Sequence, residues 1–333
     1  MILLIGAGAV GTILAAHLVS ARREPVKLYV RDKDLAELQT AQEIRVDHVL
    51  GGRPPLVAPK PALTTRIELA GVDYLFICVK FPDLQGVLDQ LPEIPPGCTL
   101  VSTLNGVGAL RVIRDRFPQA RLAPMTIQFN AQLLSPLRAR ITTRPAVRVG
   151  TDDPRLLACF DGSGMDVRRA AGESAAWGKL LVNLANAICA LTHTTFKDLY
   201  LHPDLRACYA GVLDEAVSLL DKAGVTYPLP MPLPYPLYRA LLRHGGPLPW
   251  WFARLRSGLQ DGSYPSMVAD IEHGRLTEIG QLNGEIVCLG QQHRVPTPVN
   301  ARLVSLVQQI EGRPAVKYLT PGELRERLGI PRA

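Results

Sequence analysis

The chain has 333 residues, 47% hydrophobic and 20% charged, with a formal net charge of +7. That length exceeds one ordinary core and predicts two domains, and the balance of apolar and charged residues excludes a disordered or fibrous chain. The basic residues are spread along the sequence without a nucleic-acid motif, so the surplus fits either solubility or anionic small molecules rather than DNA or RNA.

No apolar run approaches the roughly 20 residues that cross a bilayer, and the first apolar run stops at Gly6 without a basic flank, unlike a signal peptide. The six cysteines, Cys78, Cys98, Cys159, Cys189, Cys208 and Cys288, form no C-x-x-C pair. They read as reduced thiols of a cytoplasmic protein, with no metal site.

The chain opens on MILLIGAGAVG. Ile2 to Ile5 is strand-like, Gly6, Gly8 and Gly11 follow, and an apolar helix pattern continues from Ala9 to Arg23. Strand, glycine turn and helix form the context of a dinucleotide site, with Gly6, Ala7, Gly8, Ala9, Val10 and Gly11 lining the pyrophosphate. Val26 to Val30 predicts the second strand, and Arg31 and Asp32 follow where such folds read the adenosine ribose. Arginine favours a 2′-phosphate and aspartate a 2′-hydroxyl. Arg31 comes first and Lys33 adds charge, so the expected cofactor is NADP(H).

Residues 43 to 67 are rich in Gly and Pro, with short β-like pieces at Ile44–Val46 and Leu56–Val57. Tyr74 to Val79 predicts a buried strand ending at Lys80, and Pro82 to Leu91 a short helix. Thr99 to Ser102 predicts a strand ending at Asn105-Gly106. Lysine and asparagine at strand tips point to a ligand crevice; a solvated lysine and a turn asparagine are the alternatives. Strands follow at Leu122–Ile127, Ala139–Thr143, Ala146–Gly150 and Asp166–Arg169, with a helix over Asp152–Phe160.

After Gly172 the β signal stops. The expected architecture is α/β, a Rossmann-type doubly wound sheet over 1–170 that binds NADP, followed by an all-α substrate and catalytic domain over 171–333. Ser174 to Leu191 predicts an apolar helix on which Lys179, Asn183 and Asn186 fall at i, i+4 and i+7, one face at about 100° per residue. Buried polar groups cost free energy unless they are satisfied, so this face is a candidate site. Tyr227 to Trp251 holds too many prolines for one helix and too many aromatics for disorder; it reads as an ordered excursion, a lid or a dimer surface. From Ser266 the spacing predicts one long amphipathic helix, with Ser266 as its N-cap and Glu278 roughly 18 Å further along the axis.

GAGAVG at 6–11, CVK at 78–80, LNG at 104–106, WGKLLVN at 177–183 and SMVADIEHGRLTEIGQLNGEIV at 266–287 together resemble the ketopantoate reductase (2-dehydropantoate 2-reductase) family over nearly the whole length. The resemblance implies a Rossmann domain joined to a helical domain with the active site in the cleft between them. It implies reduction of 2-dehydropantoate by NADPH, on the way to pantothenate and coenzyme A. It makes Lys179 the general acid and Asn183 a substrate contact. Asn105 would lie between nicotinamide and substrate, and Ser266 would touch substrate. Glu278 would meet a cofactor or substrate hydroxyl, Arg31 and Lys80 the adenosine phosphate, and Ala131 the cofactor through its backbone. Two positions depart from the family pattern: Ala187 stands where a second asparagine is usual, next to Asn186, and Ser263 where asparagine is usual. The implied partner is a small 2-oxo acid, with no nucleic acid or membrane and with a homodimer as one assembly. A relative acting on another oxo acid and a non-catalytic NADP-binding sensor are the competing functions.

Overall fold

The computed structural model describes residues 1–50, 52–229, 233–257 and 259–331. The chain divides into two units, Met1–Ala176 and Trp177–Ala333.

The first unit runs β1 (Ile2–Ile5), α1 (Ala9–Ala21), β2 (Val26–Tyr29), α2 (Asp32–Gln39), β3 (Glu43–His48), β4 (Leu56–Pro59), β5 (Ala62–Thr64), β6 (Tyr74–Ile77), α3 (Phe81–Gln90), β7 (Thr99–Ser102), α4 (Gly108–Arg116), β8 (Arg121–Ile127), β9 (Ala131–Ser135), β10 (Arg138–Ile141), β11 (Ala146–Val149), α5 (Pro154–Ala158) and β12 (Asp166–Arg169). Its main sheet has the order β5-β2-β1-β6-β7-β8-β11-β12. The first six of these are parallel; β11 then runs antiparallel to β8, and β12 parallel to β11. Strand order reverses between β1 and β6, so the crevice where such sheets bind ligands opens at their carboxyl ends.

Buried parallel strands are apolar on both faces, which is why ILLI and YLFI read as unbroken runs rather than alternations. Ile2 and Leu4 of β1 enter the core on one face of the sheet, and Leu3 and Ile5 enter the core on the other. The apolar pieces around residues 44 and 57 belong to a separate four-stranded sheet, β4-β3-β10-β9. This small sheet and the main sheet enclose α1, whose residues from Gly11 to Leu18 are all buried. A helix covered on both sides has no polar stripe, and α1 shows none. Its one imidazole, His17, bonds through Nδ1 to the Ser163 carbonyl at 2.9 Å, and burial lowers its pKa to about 4.

The second unit is helical: α6 (Ser174–Asn183, beginning just inside the first unit), α7 (Ala185–Thr192), α8 (Phe196–Leu201), α9 (Pro203–Lys222), α10 (Tyr235–His244), α11 (Leu248–Ser257), α12 (Ser266–Glu272), a 3₁₀ turn at Ile279–Gln281, α13 (Asn283–His293), α14 (Pro298–Gln308) and α15 (Pro321–Arg327). The long helix α9 is the spine, with α7, α8, α10, α13, α14 and α15 packed around it. The phenol of its buried Tyr209 donates to the Leu181 carbonyl at 3.1 Å and ties the spine to α6. α6 and α7 run on as one rod, Ser174–Thr192, with only Leu184 irregular. Contrary to the expectation that no such run exists, this rod is long and apolar enough to cross a membrane by length and composition; most of it is buried in the fold.

Two further expectations change. The proline-rich excursion contains two helices, α10 and α11, parted at Gly245-Gly246-Pro247; residues 230–232 within it lie outside the described residues. Asp214 of α9 docks α10 by accepting from Tyr235 at 2.7 Å and Arg239 at 2.6 Å. The single long helix from Ser266 is also two helices. α12 ends at Glu272, Gly274 turns left-handed at φ +62, and the chain crosses a linker before the 3₁₀ turn.

The packing of α1 on its strand generates a prediction. A Cβ on Gly11 would stand 1.9 Å from the Gly6 carbonyl oxygen, whereas one on Gly8 meets nothing within 4 Å. Alanine gains about 1 kcal/mol over glycine in a helix, but overpacking against backbone costs about 1–3 kcal/mol or more. Gly11→Ala is therefore expected to lower the melting temperature by several degrees and Gly8→Ala to leave it within about a degree, as read by differential scanning calorimetry.

Candidate active site

The predicted site residues are distributed over both units. In the first, β1 delivers the chain to Gly6, whose φ of +110 is open to glycine, and whose missing Cβ makes room for the Cys78 carbonyl, 2.8 Å away from where that Cβ would stand. Gly8 caps α1 with extended backbone and no side-chain cap. No acidic residue occupies the first turn. The opening N–H groups of a helix have no intrahelical acceptor and carry the positive end of its dipole. Gly8 adds open space directly beside them. A pyrophosphate fits this arrangement in charge, donor supply and volume.

The other predicted cofactor residues follow from topology. Arg31 stands at the N-cap of α2 beyond β2, Lys80 at the N-cap of α3 beyond β6, and half-buried Asn105 in the turn beyond β7, ahead of left-handed Gly106. All three leave the carboxyl ends of parallel strands flanking the point where strand order reverses. Ala131 opens β9 of the small sheet, four residues beyond the end of β8, where it pairs with Ile141. Arg31 has a partner that sequence reasoning overlooked: its Nε donates to Asp34 Oδ2 at 2.6 Å. The i,i+3 spacing in RDKD was the available signal.

The second unit holds the polar face of the α6–α7 rod. Lys179 is partly buried, and Asn183 and Asn186 are almost wholly so. Desolvation lowers the Lys179 pKa from its ordinary value. Asn186 Oδ1 is buried without a hydrogen-bond partner among the described residues. Such an atom costs free energy as it stands and suits a donor brought by a ligand. α12 packs on α7, and Ser266 is exposed at its first helical position; the N-cap is Pro265, not Ser266 as the sequence suggested. Ser263 closes the preceding turn, its hydroxyl accepting from the Gln260 N–H at 3.0 Å and its carbonyl from Phe196 at 3.1 Å. Glu278 does not lie on the α12 helix. It is half-buried at the entry to the 3₁₀ turn.

The matches to known proteins cover both halves. Residues 2–154 match the family described as ketopantoate reductase PanE/ApbA, and residues 173–311 match its C-terminal family, ketopantoate reductase PanE/ApbA C terminal. The chain belongs to the ketopantoate reductase family. Among curated relatives, a 2-dehydropantoate 2-reductase from Mesorhizobium japonicum is 26% identical, over 93% of this chain and 97% of that protein. A PanE/ApbA family ketopantoate reductase from Ralstonia eutropha JMP134 superposes with a TM-score of 0.74 at 23% identity, over 93% of this chain and 98% of the other. D-mandelate dehydrogenase, solved with NADH and anilino(oxo)acetate, superposes with a TM-score of 0.75 at 20% identity, over 99% of this chain and all of the other. The solved structures agree with the fold, a Rossmann-type sheet and an all-α second unit, and the family and curated matches make the chain an oxidoreductase.

Lys179 links site and stability. Because burial lowers its folded pKa, the unfolded chain binds more protons between the folded and unfolded values, and stability rises with pH across that window. Below it the full cost of the buried ammonium is present. Lys179→Met is expected to be more stable than wild type at neutral pH and to lose the alkaline rise. Urea unfolding midpoints from pH 7 to pH 10 measure this; parallel profiles for the two proteins would refute the desolvation account.

Proposed function

We propose that the chain is an NADPH-dependent reductase of a 2-oxo acid, with 2-dehydropantoate as substrate and pantoate as product. The observation that carries the reading is the half-buried Lys179 on the polar face of an otherwise apolar rod. A lysine held there at a cost in stability has a reason to be kept, and a sensor that only binds nucleotide needs no proton donor.

A bound reduced nicotinamide supplies the hydride. The chain's own residues do the rest. Gly6 to Gly11, with Ala7, Ala9 and Val10 between, would present backbone N–H groups to the pyrophosphate. Arg31 and Lys80 would pair with the 2′-phosphate by charge-assisted bonds. Ala131 would offer a backbone contact. Asn105 has both a donor and an acceptor with which to orient the reacting carbonyl. As hydride reaches the carbonyl carbon, charge develops on its oxygen, and the Lys179 ammonium stabilises that charge and transfers a proton to it. A ketone, one hydride and one proton give the alcohol, and Lys179 regains its proton from solvent. Lowering a lysine pKa brings it nearer the working pH, which favours proton transfer. Asn183, Asn186 and Ser266 would hold the carboxylate and hydroxyl of the substrate, and Glu278 would accept a hydrogen bond from a cofactor or substrate hydroxyl.

A second reading is reduction with NADH. It rests on the Arg31–Asp34 pair, because Asp34 competes with a 2′-phosphate for the guanidinium. Arg31→Ala should raise the Michaelis constant for NADPH at least about tenfold while changing that for NADH little, and Asp34→Asn should lower the NADPH constant. Equal effects of Arg31→Ala on both nucleotides would favour Asp32 as the ribose reader.

The decisive variant is Lys179→Ala. Its NADPH affinity, read by nucleotide fluorescence, should stay near wild type, while the turnover number with 2-dehydropantoate falls by roughly 10² to 10⁴. The deficit should shrink at low pH, where solvent supplies the proton. Lost affinity with surviving turnover would make Lys179 a cofactor anchor. Wild-type activity on other 2-oxo acids but not on 2-dehydropantoate would move the substrate, not the mechanism.

A further inference from the structure

The linker between α12 and the 3₁₀ turn is held from outside. The Thr277 N–H and hydroxyl both donate to Glu311 Oε2, at 2.8 and 2.7 Å. The same hydroxyl accepts from the Ile279 N–H at 3.2 Å. Glu278 lies between the two residues that share this oxygen. Further back, the Gly312 N–H donates to the Arg275 carbonyl at 3.4 Å, and Gly274 passes so close that a Cβ on it would stand 3.3 Å from the Arg313 carbonyl. Arg275 also bonds the buried Asp270 of α12, Nε to Oδ1 at 3.1 Å. Beyond the turn, fully buried Asn283 donates through Nδ2 to Asn300 Oδ1 at 3.0 Å, and Asn300 donates to Glu215 Oε2 at 2.9 Å.

A six-residue linker, 273–278, with a left-handed glycine near its start has no helix ladder of its own to fix a side chain. Charge-assisted bonds from one carboxylate to a backbone N–H and a hydroxyl are strong and directional. They fix the backbone on the Glu278 N-terminal side, and the hydroxyl-to-Ile279 bond fixes it on the other. Neither Thr277 nor Glu311 enters the predicted site, and neither is needed to end α12, which Gly274 already does.

We propose that Glu311 and Thr277 are positioning residues, a clamp that sets the carboxylate of Glu278 for its hydroxyl contact. The proposal rests on the role given to Glu278 under the proposed function. It implies that the clamp acts only through Glu278, so losses from the two should not multiply.

The experiment is a double-mutant cycle on the full chain, with NADPH and 2-dehydropantoate. Glu278→Gln measures the role of the carboxylate. Thr277→Val removes the hydroxyl at constant shape, and Thr277→Ser keeps it. Misplacing a positioned group costs up to about 10²-fold, so Thr277→Val should lose about 10- to 100-fold in kcat/KM. Thr277→Ser should stay within about twofold of wild type, and Thr277→Val with Glu278→Gln should be no worse than Glu278→Gln alone. The split between kcat and KM, and the change in NADPH affinity by fluorescence, should be the same for Thr277→Val as for Glu278→Gln. Glu311→Gln is the second variant should Thr277→Val not fold, and it should follow the same pattern. Multiplying losses, or an impaired Glu278→Gln beside an unimpaired Thr277→Val, would overturn the clamp while leaving the role of Glu278 intact. A Glu278→Gln protein with wild-type kinetics would remove that role and the clamp with it.

Discussion

The carbonyl of Gly6 lies where a side chain on residue 11 would begin. That single close approach fixes α1 against the end of β1 and sets the opening of the helix over the crevice. It also explains why three glycines at this spacing do three different jobs. Gly6 supplies a backbone angle and makes way for the Cys78 carbonyl, Gly11 supplies proximity, and Gly8 supplies empty space. Two of the three are required by folding, and packing alone gives no reason for the third. The small sheet on the far side of α1 completes the arrangement, because a helix covered on both faces has no freedom to tilt away from the strand.

The helical unit solves a different problem. It must keep a cation and two amides on one face of a rod that its neighbours bury. The Tyr209 phenol, bonded to the Leu181 carbonyl, secures the rod next to those polar residues. The Asn186 oxygen, unpartnered among the described residues, and the desolvated Lys179 ammonium are unfavourable in the protein standing alone. Sites commonly retain such costs because the same groups act on a bound molecule. The rest of the unit offsets them with well-satisfied polar contacts: Glu215 accepts from the Val299 and Asn300 N–H groups and so caps α14, and Asp214 gathers α10.

Much of this was legible in the sequence. Ile2–Ile5, Thr99–Ser102 and Asp166–Arg169 are strands with the bounds their apolar or flanking residues suggest. The glycine turn and the polar face of the rod were equally plain. What escaped was decided by single residues acting against a period. Ile271 to Ile279 is a step of eight in a pattern of three and four, and it marks the place where α12 ends at left-handed Gly274; reading through it put Glu278 on a helix it does not belong to. The short pieces around Ile44 and Leu56 were visible as β, but the pairing of β3 with β10, some ninety residues on, is not encoded in any local signal. The prolines of 227–251 excluded one helix, and two helices parted by Gly245-Gly246-Pro247 obey the same rule.

The departures from the family pattern fall in the helical unit, and their surroundings give them a physical meaning. Ala187 is completely buried. An asparagine there would bring three or four hydrogen-bonding capacities into a position closed to solvent, and each would need a partner. Asn186, one residue earlier, places its amide about 100° around the rod instead, nearer the line of Lys179 and Asn183. Ser263 has its hydroxyl committed to the turn ahead of α12, so a longer side chain at 263 would have to give up that bond or reach past it. Both positions lie in the helical unit, away in sequence from the glycine turn and the strand tips. The helical unit can thus change its polar atoms without disturbing the glycine turn, where backbone contacts leave no room for a side chain at residues 6 and 11.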